Sequence, residues 1–402
     1  MFNRILKKII MKEMKNCIII SDSFNSDATG LVVKNLIQGI TENQYYPNLI
    51  TFPVKKLDDK INLITIPKNN TLSPNLSPKV DKLKMIIFKS LLDYSKGKND
   101  LKMIKDWIAS KVEIENTKFV LVISSGNVSV RLLRIGKKIS ETYNLPYIIH
   151  STDPIPSPKP WGDKEIFRSA LFSAIKPFYK MANLVGSSNT VMLEYQLSYM
   201  PTIKGKSFVL YNPVSQWQEL EENRIERGTF LYLGSIYGKR DPSFLISQFL
   251  ILIEKYNFVK LKFVGSDIDI LKYNIPKHRI KNFEVISWTD NVEKYIASSE
   301  VLLDLNANIE KDVFLSSKLS KYLSYNRKIL VMCAKESAPA ILINDNPNIG
   351  VWKFQYNLDN FIDLSSEILN TNFSNWIYRK KLCFDFSAKN QTSHLIERIK
   401  KL

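Results

Sequence analysis

A basic pair follows a glycine-containing turn in the segment TFLYLGSIYGKRDP. The pair is Lys239 and Arg240, and the apolar residues 230–233 before the turn are typical of a short buried strand. Asp241 and Pro242 suit the start of a helix, because aspartate caps helices and proline is tolerated at the first helical position. Free helix N–H groups, a close backbone approach at glycine and two cations favour a bound phosphate group. An ordinary strand–helix turn with solvated basic residues is the alternative interpretation.

The spacing of this turn excludes two common nucleotide-binding loops. A Walker A loop has four residues between its first glycine and its Gly-Lys pair, and serine or threonine comes next. Here three residues separate Gly234 from Gly238, and arginine follows Lys239. The GxGxxG pattern of dinucleotide-binding oxidoreductases occurs nowhere in the chain.

A second candidate anion site lies in residues 312–332, DVFLSSKLSKYLSYNRKILVM. Ser316 or Ser317 is expected to cap a short helix, with Lys318 beside the helix N-terminus and an apolar strand following. The free N–H groups of such a helix favour an anion. A solvated lysine face is the alternative.

Polar side chains also follow apolar runs in the first half of the chain. Asp22, Asn25 and Asp27 come after residues 17–20, which are predicted to form the first strand. Ligands of open α/β sheets bind at the carboxyl ends of the strands. These three residues are therefore candidates for contact with an acceptor substrate.

A proline-rich loop, HSTDPIPSPKPWGD, follows the predicted strand at residues 147–149. Its His150 and Asp153 are candidate catalytic residues that would position an acceptor hydroxyl or stabilise developing charge. A buried edge histidine and a simple Asp-Pro turn are the alternatives.

The composition is that of a folded, basic protein. The 402 residues are 45% apolar and carry a net charge of +18, a length that suits two domains. Residues 1–150 hold 24 lysines and arginines against 13 acidic residues, which favours anionic partners such as a membrane surface or a phosphate-linked substrate. A lysine-, asparagine- and isoleucine-rich composition is a second explanation of the charge. No nucleic-acid partner is expected, because no recognised binding motif occurs.

The spacing of the cysteines and the length of the apolar runs are typical of a cytoplasmic protein. The three cysteines are far apart and lie among apolar neighbours, as in reduced cytosolic proteins. No apolar run approaches the roughly 20 residues that span a bilayer. We therefore expect a cytoplasmic protein, with a peripheral position on the inner face of the membrane as the second expectation.

The order of predicted strands and helices indicates an α/β fold in two halves. The polar stretch 214–228 contains no clear core face and marks the boundary between residues 1–213 and residues 214–385. Strand–helix alternation restarts at residue 230. Two doubly wound parallel sheets facing a cleft are expected. A terminal helix at about residues 386–402 is expected to pack back on the first half.

Four segments of the second half, in order, resemble the GT-B glycosyltransferases of the family 4 (group 1) type. They are LYLGSIYGKRDP, KFVGSD, VISWTDNVEKYIASSEVLLDL and SSKLSKYLSYNRKILV, within residues 229–332. The first half is similar to this family only in its strand–helix pattern, its polar first loop, its Asp-Pro loop and YNPV. The resemblance implies two Rossmann-like domains facing a central cleft, with acceptor binding in the first and donor binding in the second.

The resemblance also implies a function and a set of donor-binding residues. The function is that of a retaining glycosyltransferase moving a sugar from a nucleotide-diphosphate sugar to a glycan acceptor in bacterial surface polysaccharide synthesis, and a lipid-linked glycan is the expected acceptor. The implied diphosphate, acceptor-side phosphate and base contacts are Gly234, Ser235, Lys239, Arg240, Gly265, Trp288, Thr289, Val292, Ser316, Ser317 and Lys318.

One residue departs from this resemblance, and one short pattern is a rival signal. The family usually has a glutamate that binds the donor ribose where this chain has Lys321, so a catalytically silent binding or scaffold subunit stays open, as does a nucleotide-sugar epimerase of the same fold. The pair Asp267 and Asp269 forms the DxD pattern of metal-dependent glycosyltransferases. We interpret it as a solvated loop and expect no metal and no cofactor.

Overall fold

The fold is described from a computed structural model. It covers residues 14–24, 28–53, 61–67, 100–125, 130–161, 165–236, 238–266, 269, 275–356 and 359–402. The predicted candidates Asn25, Asp27 and Asp267 lie outside the described residues. Chain contacts divide the protein into two compact units. Unit 1 comprises Met1–Pro213 with Phe386–Leu402, and unit 2 comprises Val214–Asp385.

Unit 1 contains a parallel sheet of seven strands in the order β3-β2-β1-β4-β5-β6-β7. The strands are β1 (Lys15–Ser21), β2 (Tyr45–Thr51), β3 (Asn62–Thr65), β4 (Thr117–Ser124), β5 (Tyr147–Ser151), β6 (Leu184–Ser187) and β7 (Ser207–Val209). Its helices include α1 (Ala28–Glu42), α2 (Val130–Tyr143), α3 (Glu165–Met181) and α4 (Thr190–Tyr199), and residues 100–111 are also helical.

Both faces of this sheet are buried, which explains its continuous apolar runs. Ile18 and Ile20 of β1 pack in one core cluster, whereas Cys17 and Ile19 pack in another. Successive side chains of a strand point to opposite faces, so the sequence CIII fills both cores.

Unit 2 contains a parallel sheet of six strands in the order β10-β9-β8-β11-β12-β13. The strands are β8 (Glu226–Leu233), β9 (Lys260–Val264), β10 (Phe283–Ile286), β11 (Ser299–Leu305), β12 (Lys328–Cys333) and β13 (Val351–Gln355). The helices are α5 (Pro242–Lys255), α6 (Glu293–Ser298), α7 (Ser317–Tyr322), α8 (Ala338–Asp345), α9 (Phe361–Asn370) and α10 (Ile377–Asp385). This strand order is that of the doubly wound Rossmann sheet.

The last helix, α11 (Ala388–Ile399), belongs to unit 1 and packs on α1. Asn43 Nδ2 donates to Thr392 Oγ1 at 2.9 Å, and Ser393 Oγ donates to Asn43 Oδ1 at 2.7 Å. A Cβ at Gly39 would overlap the Ala388 carbonyl. Glycine therefore permits the close approach of the two helices.

The α/β fold with two parallel sheets is as predicted, but the first strand of unit 2 starts earlier than the predicted residue 230. Glu226–Gly228 already belong to β8. Gly228 has φ +75° and donates its N–H to the Glu300 carboxylate at 2.7 Å, where the pairing of β8 with β11 shifts register. This irregularity lets a polar segment start the strand. Among the described residues, no helix is both long and apolar enough to span a membrane.

Candidate functional site

The carboxyl ends of β8 and β11 mark the point in unit 2 where the strand order reverses. Sequential strands β9 and β10 extend to one side of β8, and β11, β12 and β13 extend to the other. Ligands of such sheets bind in the crevice beyond this point. Gly234, which directly follows β8, has φ +85° and donates its N–H to the Val264 carbonyl at 2.7 Å. The chain thus turns sharply at the expected ligand position.

Lys318 crosses this turn from the first part of α7. Its Nζ lies 4.7 Å from the ring centre of Tyr232 and donates to the Tyr232 hydroxyl at 3.0 Å. A Cβ on Gly234 would lie 3.1 Å from Lys318 Cε. Gly234 therefore supplies both the left-handed turn and the space for the lysine side chain.

The helix that carries Lys318 is fixed by local capping. Ser316 caps α7, and its Oγ accepts the Lys318 N–H at 3.1 Å. That amide is consequently not free for a phosphate group. Tyr322 ties the other end of the helix to β8, because its hydroxyl accepts the Leu233 N–H at 3.0 Å. Ser316 is buried, whereas Ser317 is exposed.

Arg240 lies close enough to Lys318 to repel it electrostatically. Burial, and secondarily this repulsion by Arg240, lower the pKa of Lys318 to about 8, with the Asp304 carboxylate opposing the change. Arg240 is partly buried, while Lys239 is exposed. The two neighbouring cations form a site whose repulsion a bound anion would relieve.

Asp304 is a residue of this site that the sequence predictions missed. It lies in β11 with no exposed surface, and its Oδ2 accepts the Asn306 amide at 3.0 Å. Its Oδ1 has no hydrogen-bond partner among the described residues. A charged residue inside the apolar strand sequence VLLDL was the signal that could have identified it.

The predicted base-contact residues lie at the end of β10, on the same edge of the sheet. Trp288 is 76% exposed, Thr289 Oγ1 accepts the Asn291 N–H at 3.2 Å, and Val292 occupies the N-cap of α6. Gly265 directly follows β9 and lies next to both the end of β10 and the turn at Gly234. It has φ +81°, donates its N–H to Ile286 O at 2.8 Å, and a Cβ there would lie 3.4 Å from Gly234 Cα.

Ser235 and Ser266 surround the turn at Gly234. The Tyr232 hydroxyl donates to the Ser235 carbonyl at 3.2 Å. Ser266 Oγ donates to the Gly234 carbonyl at 2.6 Å. These two bonds hold the backbone of the turn at Gly234 and Ser235.

The strand order of unit 1 reverses between β1 and β4. Asp22 follows β1 directly, and its Oδ2 accepts the Ser125 hydroxyl at 2.5 Å from the end of β4. Asp22 therefore lies where the doubly wound topology places ligands, as predicted from its position after a strand. Asp153 follows β5 and is partly buried.

The prediction that His150 lies in a loop is wrong. His150 belongs to β5, pairs in register with Ile123 and Gly186, and has no exposed surface. Burial lowers its pKa to about 4, with a backbone contact to Gly186 opposing the change. The strand continues through His150 and Ser151 because both residues pair with β6. The loop prediction did not take this pairing into account. A buried neutral ring offers no surface to an acceptor, so His150 takes no part in the function proposed below.

Solved structures of glycosyltransferases share this architecture across nearly the whole chain. The apo form of the lipopolysaccharide outer core galactosyltransferase WaaB matches with a TM-score of 0.60 and 14% identity, covering 96% of this chain and 100% of that chain. A glycosyltransferase from Rickettsia africae ESF-5 matches with a TM-score of 0.61 and 12% identity, covering 96% and 98%. A mutant of S. aureus TarM in complex with fondaparinux, alpha-GlcNAc-glycerol and UDP matches with a TM-score of 0.61 and 11% identity, covering 96% and 100%.

The chain has the GT-B fold. No protein-family model and no curated protein sequence matches it significantly. The predicted resemblance to GT-B glycosyltransferases is confirmed at the level of the fold, and the site residues stay predictions.

One ion pair in unit 2 involves a position at which the sequence departs from the expected resemblance. Lys321, where that resemblance implies a glutamate, lies 3.4 Å from the Glu293 carboxylate of α6. Both side chains are partly exposed. The carboxylate in this contact belongs to α6, whereas the resemblance implies a glutamate on α7 itself.

Proposed function

We propose that this chain is a glycosyltransferase that binds a nucleoside-diphosphate sugar in unit 2, at the carboxyl ends of β8 and β11. The observation that carries this proposal is the pair Lys318 and Arg240 at the turn of Gly234. Burial, and secondarily repulsion by Arg240, lower the pKa of Lys318, and a diphosphate would replace that repulsion with two charge-assisted hydrogen bonds.

The chemistry of the site suits departure of a nucleoside diphosphate. Glycosyl transfer breaks the bond between the sugar and the terminal phosphate oxygen, so negative charge grows on the diphosphate. Fixed cations stabilise that charge without reorganisation during the reaction. Lys318 is fixed by the Tyr232 hydroxyl and by Gly234. We propose a retaining reaction in which these cations take the part that a metal ion takes elsewhere, so no metal or other cofactor is needed.

The matched structures support the same class of ligand. WaaB is a galactosyltransferase, and the TarM structure contains UDP and a sugar–glycerol compound. For this chain we propose that Trp288, Thr289 and Val292 contact the nucleobase. Ser317 and Lys239, which are exposed, would complete the diphosphate contacts.

Unit 1 would hold the acceptor, and Asp22 is its candidate contact. The carboxylate is oriented by the Ser125 hydroxyl and can accept a hydrogen bond from a sugar hydroxyl. Asp153 is the candidate that would stabilise charge near the reacting sugar. We propose a lipid-linked glycan acceptor at the cytoplasmic face of the membrane, in the synthesis of a bacterial surface polysaccharide.

A catalytically silent binding subunit is the second candidate function. The contact between Lys321 and Glu293 favours it, because a lysine occupies the position of the family's ribose-binding glutamate. A binding subunit of this kind would retain the diphosphate site and lack turnover. An epimerase of the same fold would instead turn over a nucleotide sugar without an acceptor.

Turnover of a panel of UDP-, GDP- and TDP-sugars separates these functions. We expect slow release of nucleoside diphosphate from one sugar nucleotide, and at least about tenfold slower release for Arg240→Ala, since a charge-assisted hydrogen bond contributes roughly 1.5–3 kcal/mol. Binding without release would support the silent subunit. Interconversion of sugars without release of diphosphate would indicate the epimerase.

The change Lys321→Glu tests the departure from the family pattern directly. This change places a carboxylate on α7, but the new carboxylate lies next to the like-charged Glu293. Because the present ion pair is solvent-exposed, we expect the free energy of unfolding to change by less than about 1 kcal/mol. For a glycosyltransferase we expect faster turnover in the double variant Lys321→Glu/Glu293→Lys, which keeps an ion pair. No turnover in the wild type or in either variant would contradict an enzymatic function.

A further inference from the structure

Helix α10 of unit 2 presents large apolar side chains to solvent. Ile377 is 66% exposed, Tyr378 is 53% exposed and Phe384 is 67% exposed. Arg379, Leu382 and Cys383 of the same helix are buried. At 100° per residue, Ile377 and Phe384 lie on one side of the helix, opposite the three buried residues.

Two lysines border this apolar strip. Lys381 lies beside Ile377 on the helix surface, and Lys380 lies beside Phe384. Both lysines are exposed. Lys380 has its Nζ 5.4 Å from the ring centre of Trp217 and 3.3 Å from Glu219, so it also connects the helix to neighbouring aromatic residues.

Aromatic rings continue the apolar surface beyond the helix. Trp217 and Trp376 are partly exposed, and their ring centres are 6.3 Å apart. Phe373 packs on Trp376 at 4.7 Å with an interplanar angle of 69°. Tryptophan rings of this kind, next to lysines and aliphatic side chains, are typical of the boundary between water and lipid.

We propose that this face, formed by Trp217, Trp376, Ile377, Lys380, Lys381 and Phe384, docks on an anionic lipid surface. The inference rests on the proposed function, since a lipid-linked acceptor is found at such a surface. Apolar side chains would enter the boundary of the acyl chains, while the lysines would meet anionic head groups.

Two other occupants fit the face less well. A two-fold contact between copies of this face would bury the exposed ammonium group of Lys381 in an apolar interface, which costs free energy unless the group is paired. A glycan would need a flat aromatic platform, but Phe373 and Trp376 meet edge to face and Trp217 is tilted by 44°. An anionic membrane uses both the apolar strip and the lysines.

Vesicle co-sedimentation of the full chain tests the proposal. The vesicles contain phosphatidylcholine alone or phosphatidylcholine with phosphatidylglycerol. We expect binding to the anionic vesicles and a loss of at least about tenfold in binding for Ile377→Ser/Phe384→Ser, because each serine removes an apolar side chain from the lipid boundary. The matched control Ile251→Ser/Ile280→Ser alters two side chains that are each 49% exposed elsewhere in unit 2, and it is expected to bind like the wild type.

A charge-reversal pair gives a second readout. Lys381→Glu should weaken binding to anionic vesicles by about fivefold or more, whereas Lys277→Glu, at an exposed lysine outside the face, should reduce it less. Tryptophan emission of the wild type should shift to shorter wavelength on anionic vesicles. Equal binding of the serine variant and its control would overturn the proposal.

Two further outcomes would also overturn it. One is a dimer that only the Ile377→Ser/Phe384→Ser variant dissociates, and the other is binding of a soluble polysaccharide at this face without vesicle binding. Nucleoside diphosphate binding, measured on the same variants, separates the two hypotheses. A serine variant that still binds nucleoside diphosphate but no longer binds vesicles supports the docking face. A wild type that binds no nucleoside diphosphate contradicts the proposed function and leaves the docking face untouched.

Discussion

Lys318 is the central residue of the candidate site in unit 2. It contacts Tyr232, fills the space left by Gly234 and is repelled by Arg240. The sequence predicted Lys318 and Arg240 from a basic pair and a helix cap, which are local patterns. It did not predict Asp304 as a member of the site, because the sequence VLLDL marks an unusual carboxylate but does not show which residues that carboxylate approaches.

The pKa of Lys318 predicts how ligand binding depends on pH. Because burial lowers this pKa to about 8, the ammonium form predominates at pH 7 and the neutral form at pH 9.5. We expect the affinity for a nucleoside diphosphate to fall as the pH rises through this range, since the neutral amine loses its attraction for the phosphate oxygens. Calorimetric titration at several pH values checks this.

The control for the pH dependence is Lys318→Met, which removes the titrating group and keeps most of the side-chain volume. Its weaker affinity should vary much less between pH 7 and pH 9.5. An equally steep decline in the variant would assign the pH dependence to another group.

At the scale of elements, α5 shows what a sequence can predict. Its N-cap, Asp241, accepts the N–H groups of Ser243 and Phe244 at 2.9 and 3.3 Å, and Pro242 begins the helix. All of these contacts lie within three residues, so sequence spacing was sufficient. The start of β8 was missed because it depends on the bond between Gly228 and Glu300.

Asp241→Ala should destabilise unit 2 by about 1 kcal/mol, the usual effect of losing a helix N-cap. Asp241→Asn is the matched control, since asparagine also caps helices and should cost much less. Urea unfolding measures both free energies. Equal destabilisation by alanine and asparagine would indicate that the charge of Asp241, and not its cap, supports the structure.

At the scale of the whole molecule, the alternation of strands and helices predicted both parallel sheets. It did not predict how α10 is attached to unit 2. The guanidinium of Arg379 has no exposed surface and donates to the carbonyls of Tyr325, Arg327, Ile349 and Gly350. These acceptors belong to loops around β12 and β13, which no local pattern connects with residue 379.

Removing Arg379 should destabilise unit 2 strongly. Arg379→Ala leaves several buried carbonyl groups without donors and opens a cavity, so we expect a loss of about 3 kcal/mol or more. Arg224→Ala, which removes an exposed ion pair with Glu221, is the control and should change stability by less than about 1 kcal/mol. A similar shift of the urea midpoint for both variants would contradict the role given to Arg379.

Calorimetric titration of UDP, GDP and TDP into the wild type and Lys318→Ala at pH 7 tests the central claim most directly. The account predicts that the wild type binds at least one of the three and that Lys318→Ala binds it at least about tenfold more weakly, since a charge-assisted hydrogen bond is lost. Lys335→Ala, at an exposed lysine after β12, should bind like the wild type. Unchanged affinity in Lys318→Ala, or no binding of any of the three to the wild type, would contradict the account.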